Sequence, residues 1–392
     1  MSNPLADLLA LPHDEKASRG LEHTPAEIHQ QPESWSITLD RLASLRPPIA
    51  QYLDDFFQSA DSTPREVLLA GAGTSDYIGR TISRTLRCHW QCPVNAVPST
   101  ELLTNLDDFI LPGKRYLLIS FSRSGDSSEG VALIHQALQR FPQQIRHLVV
   151  TCNPDGKMAH IPGVFPVVLD RSANDLGLAM TSSYTNMVIA GEYLAHAQAP
   201  EPFDANIRLI AAAAARTMPQ MAEAAAAFAK RRWSRACFLG TGALQAVAEE
   251  SALKVLELTA GRVATVAQSA LGLRHGPMSF LNHETLVVAY VSSNPLRQQY
   301  ELDLVQEIRD KRLAGDILLL TPGAIPRAAQ LTSHVINFDL PVSISDDVLP
   351  PAYILIAQLL GLFLSIEYGM QPDAPGEGAI TRVVSHVRIH QQ

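Results

Sequence analysis

Four serines fall within seven positions, at Ser122, Ser124, Ser127 and Ser128, around Arg123 and Gly125. They follow the apolar run Tyr116–Phe121 and precede Glu129 and an apolar helical pattern. A loop of this kind offers hydroxyls, backbone N–H groups and the partial positive charge of a helix start, which together hold an oxyanion such as phosphate. An ordinary N-cap would need one serine; four in seven positions point to anion binding. A second loop, Gly71–Ser75 (GAGTS), follows the run Glu66–Ala70. Gly71 and Gly73 let the backbone approach a ligand closely, and Thr74 and Ser75 add hydroxyls where a helix should begin. Neither loop fits the two common nucleotide motifs. No Gly-Lys-Ser/Thr triplet occurs, and the place of a third fingerprint glycine is taken by Asp76 after Gly71 and Gly73, and by Gln245 after Gly240 and Gly242.

The residues suited to proton transfer lie far downstream. Glu250, Lys254 and Glu257 stand at i, i+4 and i+7 in Glu249–Thr259 (EESALKVLELT), so they share one helix face. Ala252, Leu253, Val255, Leu256 and Leu258 make the rest of that helix apolar. An intrahelical Glu–Lys pair, worth roughly 0.2–0.5 kcal/mol, accounts for Glu250 and Lys254 but explains Glu257 less well. A carboxylate between two leucines has a raised pKa if it is buried, which suits a base that moves protons. His275 lies in Leu273–Pro277 (LRHGP), between Arg274 and the constraining Gly276-Pro277. Its residue type and loop allow a structural reading and a catalytic one alike.

The elements that must position these groups form a repeated series. Glu66–Ala70, Tyr116–Phe121, His147–Thr151 and Val164–Asp170 are short apolar runs, each of the first three closed by Gly, Ser or Asn-Pro. Arg235–Leu239, Thr285–Val291, Ile317–Thr321 and His334–Asp339 repeat the order. Gly73 and Gly242 stand 169 residues apart, as do Asp170 and Asp339; Ser122 and Ser292 stand 170 apart, as do Thr151 and Thr321. Four landmarks in register mark an internal duplication. Strand–turn–helix order, twice over, predicts an α/β fold of two tandem doubly wound parallel sheets, each a three-layer flavodoxin-like unit. The expected divisions are a helical segment over 1–50, a first domain over 51–197, a second over 205–370 and a tail over 371–392. Gln198–Asp204 (QAPEPFD) reads as a linker, Ala211–Lys230 as a long helix, and Pro47-Pro48 as a helix boundary within Glu27–Phe57.

Composition narrows the function classes. The 392 residues are 46% hydrophobic and 18% charged, the balance of a well-buried globular protein. A net charge of −8 argues against nucleic acid and anionic membrane as partners. Any phosphate must then be held locally, by backbone N–H groups and hydroxyls. Cys88, Cys92, Cys152 and Cys237 provide no second pair at metal-ligand spacing, so reduced thiols and no metal site are expected. Met1–Ala10 lacks the basic start of a signal peptide, and no apolar run is expected to approach the ~20 residues of a membrane span. A cytoplasmic protein follows as the expectation.

Taken in order, GAGTS, SFSRSGDSSE, AMTSS (Ala179–Ser183), EESALKVLELTAGR and LRHGP resemble the sugar isomerase (SIS) family. They are similar to the isomerase half of glucosamine-6-phosphate synthase. More narrowly, over nearly the whole chain, they resemble galactosamine-6-phosphate deaminase/isomerase, also labelled tagatose-6-phosphate ketose/aldose isomerase. The resemblance implies that Ser75, Ser122, Arg123, Ser124 and Ser127 contact a phosphate, and that Ser182, with Thr74, approaches the sugar. It makes Glu257 the base between C1 and C2, with Glu250 and Lys254 organising the base and the developing charge. His275 matches a ring-opening histidine that reaches the site from a neighbouring subunit, so a homodimer with a shared active site is implied. Two departures from the synthase stand out: about fifty residues precede the first repeat where a glutaminase would be expected, and its tail lysine corresponds to His386. Both favour releasing ammonia over installing it.

The expected reaction is conversion of galactosamine 6-phosphate to tagatose 6-phosphate and ammonia by general acid–base 1,2-proton transfer. No cofactor is expected, because the adjacent carbonyl or iminium group stabilises the carbanion-like state. A glucosamine-6-phosphate deaminase, or an aldose–ketose isomerase of neutral sugar phosphates, would use the same Glu and His. A phosphosugar-sensing module would need a DNA-binding partner domain, and the leading segment has no basic helix-turn-helix pattern.

Overall fold

The computed structural model describes residues 3–58, 62–376, 378–384 and 387–390; His386 lies outside them. The chain forms two compact units, one of residues 34–174, 182–205 and 381–392, the other of residues 1–33, 175–181 and 206–380.

The unit containing residues 34–174 is built on five parallel strands: β1 (Arg65–Gly71), β2 (Val94–Pro98), β3 (Arg115–Ser122), β4 (Ile145–Thr151) and β5 (Val164–Val168). Their order is β2-β1-β3-β4-β5. The central strands carry apolar residues on both faces because helices cover both, and Leu117, Leu118, Leu148 and Val149 are at most 1% exposed. The chain leaves β1 towards β2 on one side, while β3 pairs on the other. This divergence is the topological switch point, where loops beyond the carboxyl ends of neighbouring strands leave a crevice. The GAGTS turn follows β1 and the serine loop follows β3, so both open there.

The other unit repeats the plan with β6 (Arg235–Leu239), β7 (Ala264–Gln268), β8 (Thr285–Tyr290), β9 (Asp316–Thr321) and β10 (Val335–Asn337). The order β10-β9-β8-β6-β7 is the first order read from the opposite edge. The duplication extends to backbone angles. Gly73 (φ 57°, ψ −127°) begins the helix Thr74–Trp90, and Gly242 (φ 66°, ψ −127°) begins the helix Ala243–Leu258.

Three local expectations are corrected. Each sheet has a fifth, edge strand: β2 contains Asn95 and ends on Pro98, and β7 is at best half-buried, so neither shows a buried apolar run. Pro47-Pro48 does not end a helix, since Gln31–Phe57 runs through it. Both prolines and the carbonyl-bearing residues Ala43 and Ser44 are exposed, so water can satisfy the freed carbonyls. Leu39 and Leu42 before the pair, with Ile49 and Phe56 after it, hold one buried face across the gap. Finally, most of Gln198–Asp204 is helix rather than linker, because Glu201–Ala229 is one helix. Pro202 sits in its first turn, where a missing N–H costs nothing, and Glu201 and Asp204 suit the positive helix start.

One 18-residue stretch, Pro350–Glu367, is apolar and long enough by composition to pass for a membrane span, contrary to the sequence-based expectation. It is 89% buried inside the protein and packs on Ala243–Leu258, which is the position of a core helix. Among the described residues no group of three or more His, Cys, Asp or Glu is placed to hold a metal ion.

Candidate active site

The serine loop is a tight structure held by its own side chains and by the strand beside it. Register pairs Ser122 with Thr151. Ser122 Oγ accepts from the Gly125 N–H at 3.0 Å, and Ser124 Oγ accepts from the Asp126 N–H at 3.2 Å. Gly125 has φ +67°, and a Cβ there would lie 3.0 Å from Gly156 Cα, so the turn demands glycine twice over. Thr151 Oγ1 and Asn153 Nδ2 donate to the carbonyls of Arg123 and Ser124, at 3.3 and 2.8 Å. These supports from the end of β4 were missed in the sequence, where Asn153-Pro154 read only as a strand stop. Ser127 is the N-cap of Ser128–Arg140 yet makes no side-chain cap hydrogen bond, so its hydroxyl is not consumed by capping. The Arg123 guanidinium donates to the Arg382 carbonyl at 2.6 Å, and the Ser128 N–H donates to the Val384 carbonyl at 3.0 Å. Neutral tail carbonyls thus meet two donors that an anion would use.

Beside it, the GAGTS turn places Thr74 and Ser75 in the first turn of Thr74–Trp90, both at least 95% buried. Asp76, next along, pairs with Arg80 at 2.8 Å. Ser182, the first residue of Ser182–His196, is fully buried, and its carbonyl accepts from Asn186 Nδ2 at 2.8 Å. That helix packs on Thr74–Trp90, through Thr81 Oγ1 and Tyr184 Oη at 3.1 Å among other contacts.

In the other unit, Ala243–Leu258 brings the charged trio together as its spacing predicts. Lys254 Nζ lies 3.3 Å from Glu250 Oε1 and 2.6 Å from Glu257 Oε2. Glu250 and Lys254 side chains are fully buried, while that of Glu257 is 21% exposed. Burial by itself would push the Lys254 ammonium down. The two carboxylates outweigh it, first Glu250 and then Glu257, and hold the lysine above its ordinary value. Glu257, expected as a buried carboxylate, is therefore not sealed from solvent. What the geometry supplies instead is a carboxylate that reaches solvent on one side and a fixed cation on the other. Position for position, the helix Thr74–Trp90 carries Thr81 and Thr85 where this one carries Glu250 and Lys254. Of these two helices, only the second carries a charged pair at those positions.

His275 closes a short 3₁₀ turn, Gly272–Arg274, and is followed by Gly276 at φ +118°. The imidazole is exposed. Its neighbour Arg274 is anchored, with Nε 2.7 Å from Glu307 Oε2. The loop is therefore fixed while the histidine points outward.

Two such sheets, with a serine-rich loop on one and a Glu–Lys–Glu helix on the other, can be set beside known proteins. No family model matches the chain. A curated relative from Escherichia coli, D-galactosamine-6-phosphate deaminase AgaS, is 36% identical over 387 residues, covering 94% of this chain and 95% of the relative. The chain belongs to the AgaS family. Among solved structures, the E. coli tagatose-6-phosphate ketose/aldose isomerase is 34% identical, with a TM-score of 0.81 over 94% of this chain and 96% of that one. A Clostridium novyi protein provisionally given the same isomerase name reaches a TM-score of 0.92 at 29% identity, over 98% and 99% of the two chains. The fold alone is shared with the C-terminal domain of a Francisella tularensis glucosamine-fructose-6-phosphate aminotransferase, at 20% identity and a TM-score of 0.73 over 93% of this chain and all of that one. AgaS-family membership and the tandem sugar-isomerase fold agree with the resemblance read from the motifs.

Proposed function

We propose that this protein is an amino-sugar phosphate deaminase/isomerase that converts galactosamine 6-phosphate and water to tagatose 6-phosphate and ammonia. The observation that carries the reading is the Glu250–Lys254–Glu257 cluster, with Lys254 Nζ 2.6 Å from the one carboxylate that reaches solvent. A buried ion triad is weak evidence for stability alone, because desolvation offsets most of its attraction. A placed acid–base pair explains it better, and the AgaS relatives carry the corresponding activity in their name.

The serine loop takes the 6-phosphate, with hydroxyls of Ser124 and Ser127, the Arg123 guanidinium and the helix start as donors. Ser75 adds to it, and Thr74 and Ser182 face the sugar. With the ring opened by His275, Glu257 removes the proton at C2, which the C1 aldehyde acidifies, and returns it to C1. Lys254, held cationic by its two carboxylate partners, balances charge on the enolised oxygen, and Glu250 holds Lys254 in place. As O1 takes a proton and the amine nitrogen gives one up, the product is a C1 alcohol and a C2 imine, and water replaces the imine nitrogen to give the ketose and ammonia. Because His275 faces outward on an anchored loop, we assign it to the site of a second copy in a homodimer. None of the four cysteines is joined in a disulfide, which suits a reducing cytoplasm.

The test is a panel of galactosamine 6-phosphate, glucosamine 6-phosphate, their N-acetyl forms and neutral hexose 6-phosphates, scored for ammonia and ketose separately. Equal release of both from galactosamine 6-phosphate is expected. Ketose from neutral aldose phosphates, with no ammonia from amino sugars, would overturn the deaminase assignment in favour of plain isomerisation.

A further inference from the structure

The loop from Val291 to Asn294 holds, in its sheet, the place that the serine loop holds in the other: each leaves the central strand, β8 or β3, and enters the next helix. Ser292 stands 170 residues after Ser122. By sequence this copy has lost most of its serines. The structure shows that it has kept a converging set of donors and that they are all spent on one carboxylate, that of Asp346. Ser292 Oγ donates to Asp346 Oδ2 at 2.5 Å, and Arg297 Nη1 donates to the same oxygen at 2.5 Å. The Ser293 N–H and Oγ donate to Oδ1 at 2.6 and 2.9 Å. Two hydroxyls, a backbone N–H and a guanidinium therefore surround an anion whose side chain is only 4% exposed. The loop itself is rigid: Ser292 Oγ accepts from the Asn294 N–H at 3.0 Å, and the Ser292 N–H is fixed by Glu301 Oε2 at 2.8 Å.

That donor set has the chemistry of a phosphate cradle, since charge-assisted bonds from a guanidinium and oriented N–H and O–H groups are what bind oxyanions. We propose that the second loop is a built oxyanion site whose occupant is the chain's own Asp346 carboxylate, and that a free phosphate or sulfate ion takes its place when that carboxylate is removed. In the first loop the Arg123 guanidinium and the Ser128 N–H meet neutral carbonyls of residues 382 and 384, which a dianion can displace. In the second they meet a buried negative charge, which repels one. The duplicated chain thereby offers one cradle to substrate and closes the other. It uses the closed one to moor the turn Asp346–Val348 just before the helices Pro350–Tyr353 and Leu355–Glu367. The ligand class rests on reading Ser122–Ser128 as a phosphate loop; the convergence on Asp346 does not.

Equilibrium dialysis with labelled inorganic phosphate tests it, on the full chain, in chloride buffer of matched ionic strength and with sulfate as competitor. Asp346→Gly and Asp346→Ser are each expected to bind one more phosphate per chain than wild type, and adding Arg297→Met is expected to abolish the gain. Should a variant unfold in chloride, phosphate is expected to restore its circular dichroism spectrum. Unchanged stoichiometry in a folded variant overturns the proposal, and so does failure of both variants to fold in either salt. If instead the serine-loop reading is at fault, wild type binds no phosphate while the variants still gain one.

Discussion

Lys254 has no exposed surface and two carboxylate partners, so the choice of which charge to remove decides what an experiment reads. Deleting Lys254 would leave two uncompensated carboxylates and cost about 3–5 kcal/mol, confusing folding with chemistry. Glu257 is the better probe because it reaches solvent, and Glu257→Gln keeps its shape. This variant should lose roughly 10²–10⁴-fold in kcat, the ordinary contribution of a placed general base, with KM nearly unchanged. Initial rates of ammonia release decide it; a variant with near wild-type kcat would remove Glu257 from the role of base. Ser124, on the proposed reading as a phosphate contact, would act equally in ground and transition states. Ser124→Ala should raise KM several-fold and leave kcat within about twofold. A kcat effect without a KM effect would count against the serine loop as a phosphate holder.

At the scale of elements, the two glycines of the GAGTS turn answer to different constraints and should fail differently. A Cβ on Gly71 would lie 2.3 Å from the Ser75 backbone carbonyl, so the start of Thr74–Trp90 must shift. A Cβ on Gly73 meets nothing within 4 Å, and only its φ of +57° is strained. Gly73→Ala should therefore cost about 1–3 kcal/mol of stability with little change in KM. Gly71→Ala should lower stability and also raise KM, because it displaces Thr74 and Ser75. Urea midpoints with matched KM measurements separate them, and equal KM effects would contradict the steric account. The same scale shows what the sequence could and could not disclose. The central strands were legible because burial on both faces leaves only apolar residues, and the trio was legible because helical periodicity is local. The edge strands β2 and β7, half in solvent, carried no such pattern. The helix through Pro47-Pro48 depends on packing before and after the break, which no local rule records. Asp346 was invisible as an anion for the second loop because its partner Ser292 lies 54 residues away. Only the return of the chain after β10 brings the two together.

Over the whole molecule, buried carboxyl groups set how stability responds to pH. Burial, followed by the charge of Asp175, pushes Glu27 from an ordinary 4.5 to about 8, although the Leu176 and Gly177 N–H groups bonded to it pull the other way. Burial likewise pushes Glu301 from 4.5 to about 7, against the pull of the Ser292 N–H. Both groups keep a proton in the folded chain that the unfolded chain releases above its ordinary pKa. At these two groups the folded state thus binds more protons between pH 4.5 and about 8, and the stability they contribute falls as pH rises through that window. Below it both states are protonated, and above it both are ionised, so the slope vanishes at either end. Glu27→Gln retains an oxygen to accept from Leu176 and Gly177 but has nothing to ionise. Its urea midpoint should match that of wild type near pH 4.5 and exceed it increasingly up to about pH 8; the slope that remains comes from Glu301, opposed below pH 6.5 by His147, whose imidazole burial holds down to about 4. Midpoints measured at half-unit intervals check this, and parallel curves for variant and wild type would show that Glu27 is already ionised in the folded protein.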